Sequence, residues 1–338
     1  MEILVTGTAG FIGMHLARKL LEGGHRVMGI DNLNSYYDPA LKYARLKQLG
    51  ISENQAQSTS ETASCLYPGF SFQRMDICDR EQLDAVFSNH QFDQVCHLAA
   101  QAGVQYSFCN PDSYIHSNIQ GFYEVLERCC RHHIPHLLFA SSSSVYGFNQ
   151  KYPYSTDDPT DQPVSLYAAT KKSNELMAYA YATAHQIHIT GFRFFTVYGP
   201  WGRPDMAPSI FTDAILHDRP VRLNNKGKMW RDFTFIDDII QGIMLVSSKE
   251  ITTETPFFRI YNIGNSHPAS ILDLLQITES IVQKQSVRIY VPLPAGDVIC
   301  TYADIGPMQT EYGYEPEIGL EEGMNRFIKW YRSYYQTL

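Results

Sequence analysis

The chain has 338 residues, 44% hydrophobic and 18% charged, with a formal net charge of −8 at pH 7. That length exceeds the usual single domain and predicts a sizeable core with a second lobe, while the acidic balance, without a basic stripe, excludes nucleic acid as a general partner. No apolar run reaches the roughly 18 residues that span a bilayer, and the seven cysteines lack C-x-x-C or histidine-ligand spacing, so a cytoplasmic chain with no membrane contact and no metal is expected.

The N-terminus opens on the apolar run Ile3-Leu4-Val5, which predicts a buried strand, and Gly7, Gly10 and Gly13 follow at i, i+3 and i+6. Glycines there permit a tight turn and leave the backbone bare for a pyrophosphate. A helix from Phe11 and Ile12 to about Gly23 then aims its first N–H groups at the anion. A second strand, Arg26 to Ile30, ends in Asp31-Asn32, at the distance expected of an acid that holds ribose hydroxyls. No arginine stands at 32 or 33 and Asp31 would repel a 2′-phosphate, so the expected dinucleotide is NAD rather than NADP.

Strands and helices then alternate. The pattern predicts a helix near Pro39 to Leu49, a strand Phe70 to Met75, a helix Arg80 to Ser88 and a strand Gln94 to Leu98. A long helix Ser113 to Arg131, a strand His136 to Ser141, a helix from Leu166 capped by Ser165, and a strand His188 to Phe194 complete the series. This is the order of an α/β, Rossmann-like doubly wound parallel sheet. Residues 51–68, rich in serine, threonine, glutamate and glutamine, read as a mobile insertion that contributes nothing to the core. From Val197 onward, prolines at 200, 204, 208, 220, 292, 294, 307 and 316 break the chain into short elements, which predicts a smaller C-terminal α/β lobe. The expected division is 1–196 for the dinucleotide and the catalytic helix and 197–338 mainly for substrate, with part of 233–265 returning to the first domain.

Two stretches carry chemistry. Ser141 to Ser144 close the fifth strand, where side chains face the nicotinamide end of a dinucleotide and hydroxyls can bond a substrate oxygen; Ser142, Ser143 and Ser144 are the candidates. Tyr167 and Lys171 stand four residues apart, hence on one helix face. A phenol ionises near pH ~10, so serving as a base at neutral pH requires a shift of about three units, which a neighbouring cation can largely supply.

These pieces together resemble the extended short-chain dehydrogenase/reductase family of nucleotide-sugar enzymes over most of the chain: Gly7 to Gly13, Asp31-Asn32, Asp76-Ile77, Leu98-Ala99-Ala100, Asn118, the serine run, Tyr167 with Lys171, and Arg231-Asp232-Phe233 before Asp237-Asp238. Ala99-Ala100-Gln101-Ala102-Gly103-Val104 and the long segment Arg193 to Met206 are most similar to the family's C4 epimerases of UDP-glucuronate; a neutral UDP-hexose or N-acetylhexosamine is the alternative substrate. The resemblance implies a homodimer through the 113–131 and 166–185 helices, NAD held in part by Asp76, Ile77, Leu98 to Gln101 and Asn118, and a UDP-sugar touched by Thr196, Arg231 and Asp297. Arg203, in the distinctive segment, is the candidate for the sugar carboxylate, which a guanidinium holds bidentately. Departures count too. Pro294-Ala295-Gly296-Asp297 lacks the arginine of an Arg-Pro-Gly-Asp turn, which removes one phosphate contact, and Ser143 and Ser144 stand where related dehydratases and decarboxylases carry acids. Met14 replaces a usual serine and should alter only packing. A regulator that had abandoned catalysis would be expected to lose Tyr167 or Lys171, and both are present.

Overall fold

Short apolar runs, buried on both faces, form one large sheet in the computed structural model, which describes residues 1–252, 254, 255 and 257–336. The spatial order is Phe258–Ile263, His188–Phe194, His136–Ser142, Gln94–His97, Glu2–Thr6, Arg26–Asp31, Phe70–Arg74 and Thr62–Ala63. All pairings are parallel except the last. Side chains alternate across a strand, so the core splits into two layers. Ile3, Val5, Val27, Phe72 and Leu138 face one side, with the Phe11–Glu22 and Ile236–Ser247 helices. Leu4, Met28, Val95 and Phe139 face the other, with Arg80–Asn89, Gly121–Arg131 and Leu166–His185. Met14 lies fully buried in the first layer. The doubly wound α/β fold predicted from the strand–helix alternation is therefore present.

Two expectations fail. Residues 51–68 are not a loose insertion: Ile51 and Ala56 are fully buried, and Ser52 and Gln55 form a capping box on the Glu53–Gln57 helix. Thr62–Ala63 pairs antiparallel with Phe70–Arg74. Composition misled because few apolar residues suffice when they occur singly at the right places. The single long helix from Ser113 is also interrupted. Pro111–Tyr114 is a helical turn, Ile115–Gln120 a π-helix, and Gly121–Arg131 resumes the α-helix. The wide turn contains Asn118, whose side-chain Oδ1 accepts from Gln101 N at 2.8 Å while Nδ2 donates to Gln101 O and Thr170 Oγ1. Such insertions cluster where a helix is bent to place a particular group.

Beyond the main sheet, Thr196–Tyr198 pairs in parallel with Phe233–Phe235, Val221–Asn224 with Arg288–Val291, and Trp230–Arg231 antiparallel with Ala269–Ser270. Asp232, fully buried, fixes this region by accepting from Asn265 N, Ser266 N, Ala303 N and Thr234 Oγ1. Among the described residues no helix is long and apolar enough to cross a membrane.

Candidate active site

Open parallel sheets bind ligands beyond the carboxyl ends of their strands, where the strand order reverses. Here the reversal lies at Glu2–Thr6, which pairs with Arg26–Asp31 on one side and with Gln94–His97 on the other. A cavity of about 750 Å³ opens there. Its walls include the residues that end or directly follow the strands: Gly7, Asp31, Met75, Leu98, Ser142 and Phe195.

The glycine turn sets one end. Gly7 has φ +74°, and a Cβ on it would lie 2.8 Å from Ala99 N; the turn and the segment after Gln94–His97 touch through bare backbone. Gly10 is the N-cap of Phe11–Glu22 and makes no side-chain cap bond, which leaves the first N–H groups of a helix without acids for a ligand anion. Asp31 is held in place, accepting Ala9 N at 3.1 Å and Leu33 N at 2.9 Å, with lone pairs to spare for hydroxyls. Phe11, Ile12, Gly13, Asn32, Ile77, Ala99, Ala100 and Gln101 also line this part. A bare turn, an uncapped helix start and a fixed acid match the pyrophosphate and ribose of a dinucleotide.

Asp76 and Asn118 do not line the cavity. Asp76 accepts from Asn32 Nδ2 at 3.1 Å and so stands behind Asn32; Asn118, with its hydrogen-bonding groups turned inward, holds the Gln101 backbone instead. Each bonds a residue that lines the cavity, Asn32 for Asp76 and Gln101 for Asn118. Asp76 also meets His116 at 3.3 Å and lies with Cys78 in a group whose ligand-type atoms fall within 4.8 Å of one another, a gathering of two segments that spacing along the chain does not reveal.

At the centre, Ser165 caps the Leu166–His185 helix through Ala168 N at 3.1 Å and turns Tyr167 into the cavity. The Tyr167 ring packs edge-on to Tyr114, and the phenol shares the cavity wall with Ser142. Ser142 and Ser144 bond each other at 3.2 Å, and Ser143 shares the same wall. The hydroxyl of Ser141 faces away, donating to Glu175 Oε1 at 2.6 Å. Lys171 is where the spacing put it, but not as expected electrically. Its Nζ donates to Ala140 O at 2.9 Å, and burial lowers the ammonium to about 8. Burial raises the phenol of Tyr167, with Ser142 and then Arg203 pulling it back down. Burial thus disfavours the charged form of each group, the phenolate and the ammonium alike.

The third part gathers Thr196, Arg203, Arg231 and Asp297 on the cavity wall. Arg231 Nη2 bonds Asp297 Oδ1 at 2.6 Å. Arg203 does not offer an open fork: Nε and Nη2 grip the two oxygens of Asp205, and Tyr36 OH donates to Asp205 Oδ2 at 2.8 Å. The sequence points to Arg203 but not to its partners Asp205 and Tyr36, nor to Arg45. The Arg45 side chain, fully buried, donates to Trp201 O at 2.7 Å, to Ala9 O at 3.1 Å and to Tyr37 OH, tying the glycine turn to the loop that carries Arg203. A lone arginine in an amphipathic helix gives no signal; Tyr36-Tyr37 shortly after Asp31-Asn32 was the available clue.

The model of the NAD-dependent epimerase/dehydratase family matches residues 3–264. UDP-glucuronate 4-epimerase 1 of Arabidopsis thaliana is 42% identical over 348 residues, which cover 99% of this chain and 77% of that protein. A solved structure of the Bacillus cereus UDP-glucuronic acid 4-epimerase with UDP-glucuronic acid and NAD superposes with a TM-score of 0.88 at 32% identity, covering 99% of this chain and all of that one. A Thermotoga maritima UDP-glucose 4-epimerase with UDP-glucose gives 0.85 at 29% identity, with 99% and 100% coverage.

Proposed function

Because this chain belongs to the NAD-dependent epimerase/dehydratase family, we propose that it interconverts UDP-glucuronate and UDP-galacturonate by reversible oxidation at C4. The observation that carries the reading is the Tyr167 phenol, in one cavity with Ser142, with the bare glycine turn on one side and Arg203 on the other. NAD, when bound, supplies the acceptor for the C4 hydride and returns it, so none is consumed overall. The Gly7–Gly13 turn receives its pyrophosphate, Asp31 its ribose, and Asn32 and Ile77 the far end.

The chain's own residues move the proton. Tyr167 takes it from the C4 hydroxyl, directly or through Ser142 or Ser143, and gives it back to the C4 oxygen once the 4-keto sugar has presented its other face for the returning hydride. Cationic support for the phenolate during the transfer comes from Lys171. The sugar must turn over between the two transfers, which requires a firmly held nucleotide and a loose sugar site. Thr196, Arg231 and Asp297 serve the first need and small hydroxyl side chains the second. Ser143 and Ser144 are not acids, so the site has no pair there for expelling water. Proton NMR of UDP-glucuronate with the pure protein and no added NAD tests the proposal: UDP-galacturonate should appear while NADH does not accumulate, and an unchanged spectrum would sink it.

A second reading, a neutral UDP-hexose as substrate, is favoured by one fact: Asp205 already occupies the fork of Arg203. Arg203→Ala separates the two. A charge-assisted hydrogen bond contributes about 1.5 to 3 kcal/mol, so kcat/KM for UDP-glucuronate should fall about ten- to hundredfold while UDP-glucose is nearly untouched. Equal losses on both sugars would make Arg203 structural and leave the backbone N–H groups of the serine run and of Thr196 as the carboxylate site.

We also propose self-association through the two helices on the far side of the sheet. On these helices Tyr114, Phe122 and Leu126 are core, whereas Ile115, Tyr123, Leu176 and Tyr179 are exposed, and Leu176 and Tyr179 are each 58% accessible. Sedimentation at micromolar concentration should give a dimer; a monomer alone would remove the idea.

A further inference from the structure

We infer that Asp205 is a specificity-determining residue, an internal competitor that takes the guanidinium of Arg203 whenever the sugar's carboxylate lets go. The inference rests on UDP-glucuronate being the substrate. Asp205 stands two residues after Arg203 and accepts from Nε at 2.9 Å and from Nη2, the bidentate geometry a substrate carboxylate would otherwise use. Tyr36 fastens Asp205 from the other side at 2.8 Å, and its ring lies under the guanidinium at 5.6 Å. The Arg203 backbone is fixed as well, since its carbonyl accepts from Ser209 Oγ at 2.7 Å. All three side chains line the cavity that holds Tyr167.

Consider the sugar's turn with and without this partner. The Arg203 side chain is only 20% accessible, and a charge that far out of water is costly to leave unpaired. If the sugar carboxylate were its only partner, each half-turn would strand the guanidinium, and binding strength in the two end states would become a barrier between them. Interactions that hold the ground state more tightly than the passage between faces slow the reaction. With Asp205 beside it, the arginine passes from one carboxylate to another and stays paired throughout. The consequence is weaker binding of the acid sugar and faster turnover. A neutral C6 alcohol does not compete for the fork and feels neither effect.

The test compares Asp205→Asn with the native enzyme on UDP-glucuronate, with UDP-glucose binding followed as competitive inhibition. KM and kcat for UDP-glucuronate should both drop by about tenfold, the scale of one charge-assisted hydrogen bond, and the inhibition constant for UDP-glucose should stay within about twofold. Tyr36→Phe, which removes only the hydrogen bond that fastens Asp205, should move both constants the same way by less. It keeps the test open should the first variant fold poorly. Asp205→Glu should return both constants toward native. A KM for UDP-glucuronate that rises or does not move in either variant, or a parallel change with UDP-glucose, overturns the inference while the proposed function stands. A native enzyme that binds and converts no UDP-glucuronate overturns both.

Discussion

Tyr167→Phe should lower turnover of UDP-glucuronate by about 10² to 10⁴, the usual cost of losing a general acid–base group. The variant keeps the ring that packs against Tyr114 and loses only the phenol oxygen, so folding and retention of NAD should be native. Circular dichroism and the nucleotide released on denaturation check the two controls, and NMR-detected epimerisation checks the effect. Near-native turnover in a folded, NAD-loaded variant would mean that the proton travels by another route, with Ser142 and Ser143 as the remaining candidates.

Lys171→Met should damage catalysis on a similar scale and stabilise the fold. Burial lowers the Lys171 ammonium from 10.5 to about 8. A lysine whose folded pKa lies below its unfolded value costs stability wherever both states are charged, here below about pH 8. That cost is relieved as the pH rises from about 8 to 10.5. By linkage it is on the order of 3 kcal/mol, reduced by roughly 1 kcal/mol because Ala140 O loses its donor in the variant. The methionine variant would therefore melt higher than native at pH 7, and the difference should shrink toward pH 10. A variant less stable than native at pH 7 would show that the buried charge is matched by its surroundings. Residual activity should move to higher pH, where the phenol ionises without help.

These expectations show how unevenly the sequence discloses its content. The alternation from Glu2 to Phe194, the glycine turn, Asp31 and the Tyr167–Lys171 spacing are local patterns, and each maps onto a strand end or a helix face within a residue or so. What stays hidden is set by partners far along the chain. The bonds from Asp76 to Asn32 and from Asn118 to Gln101 are of this kind, because they depend on how another segment packs. The π-turn leaves no periodicity of its own. Arg45 joins positions 9 and 201, a separation no window spans, and Arg203 could be picked out as a cation but not seen to be already engaged.

The two-residue strand of the 51–68 segment covers a border of the main sheet. Phe70–Arg74 would otherwise end the sheet with a row of free peptide groups, the kind of border on which a second molecule can add a strand. Instead Phe70 O receives Ser64 N, Phe72 O receives the Thr62 hydroxyl, and Arg74 N finds Ser58 O. Serines and threonines, poor recruits for a neighbouring chain, become the outermost layer. A polar, core-poor stretch is suited to that position: it closes the border while offering little for another molecule to bury, so a protein shortened here would be at risk from its neighbours in concentrated solution before its chemistry suffered.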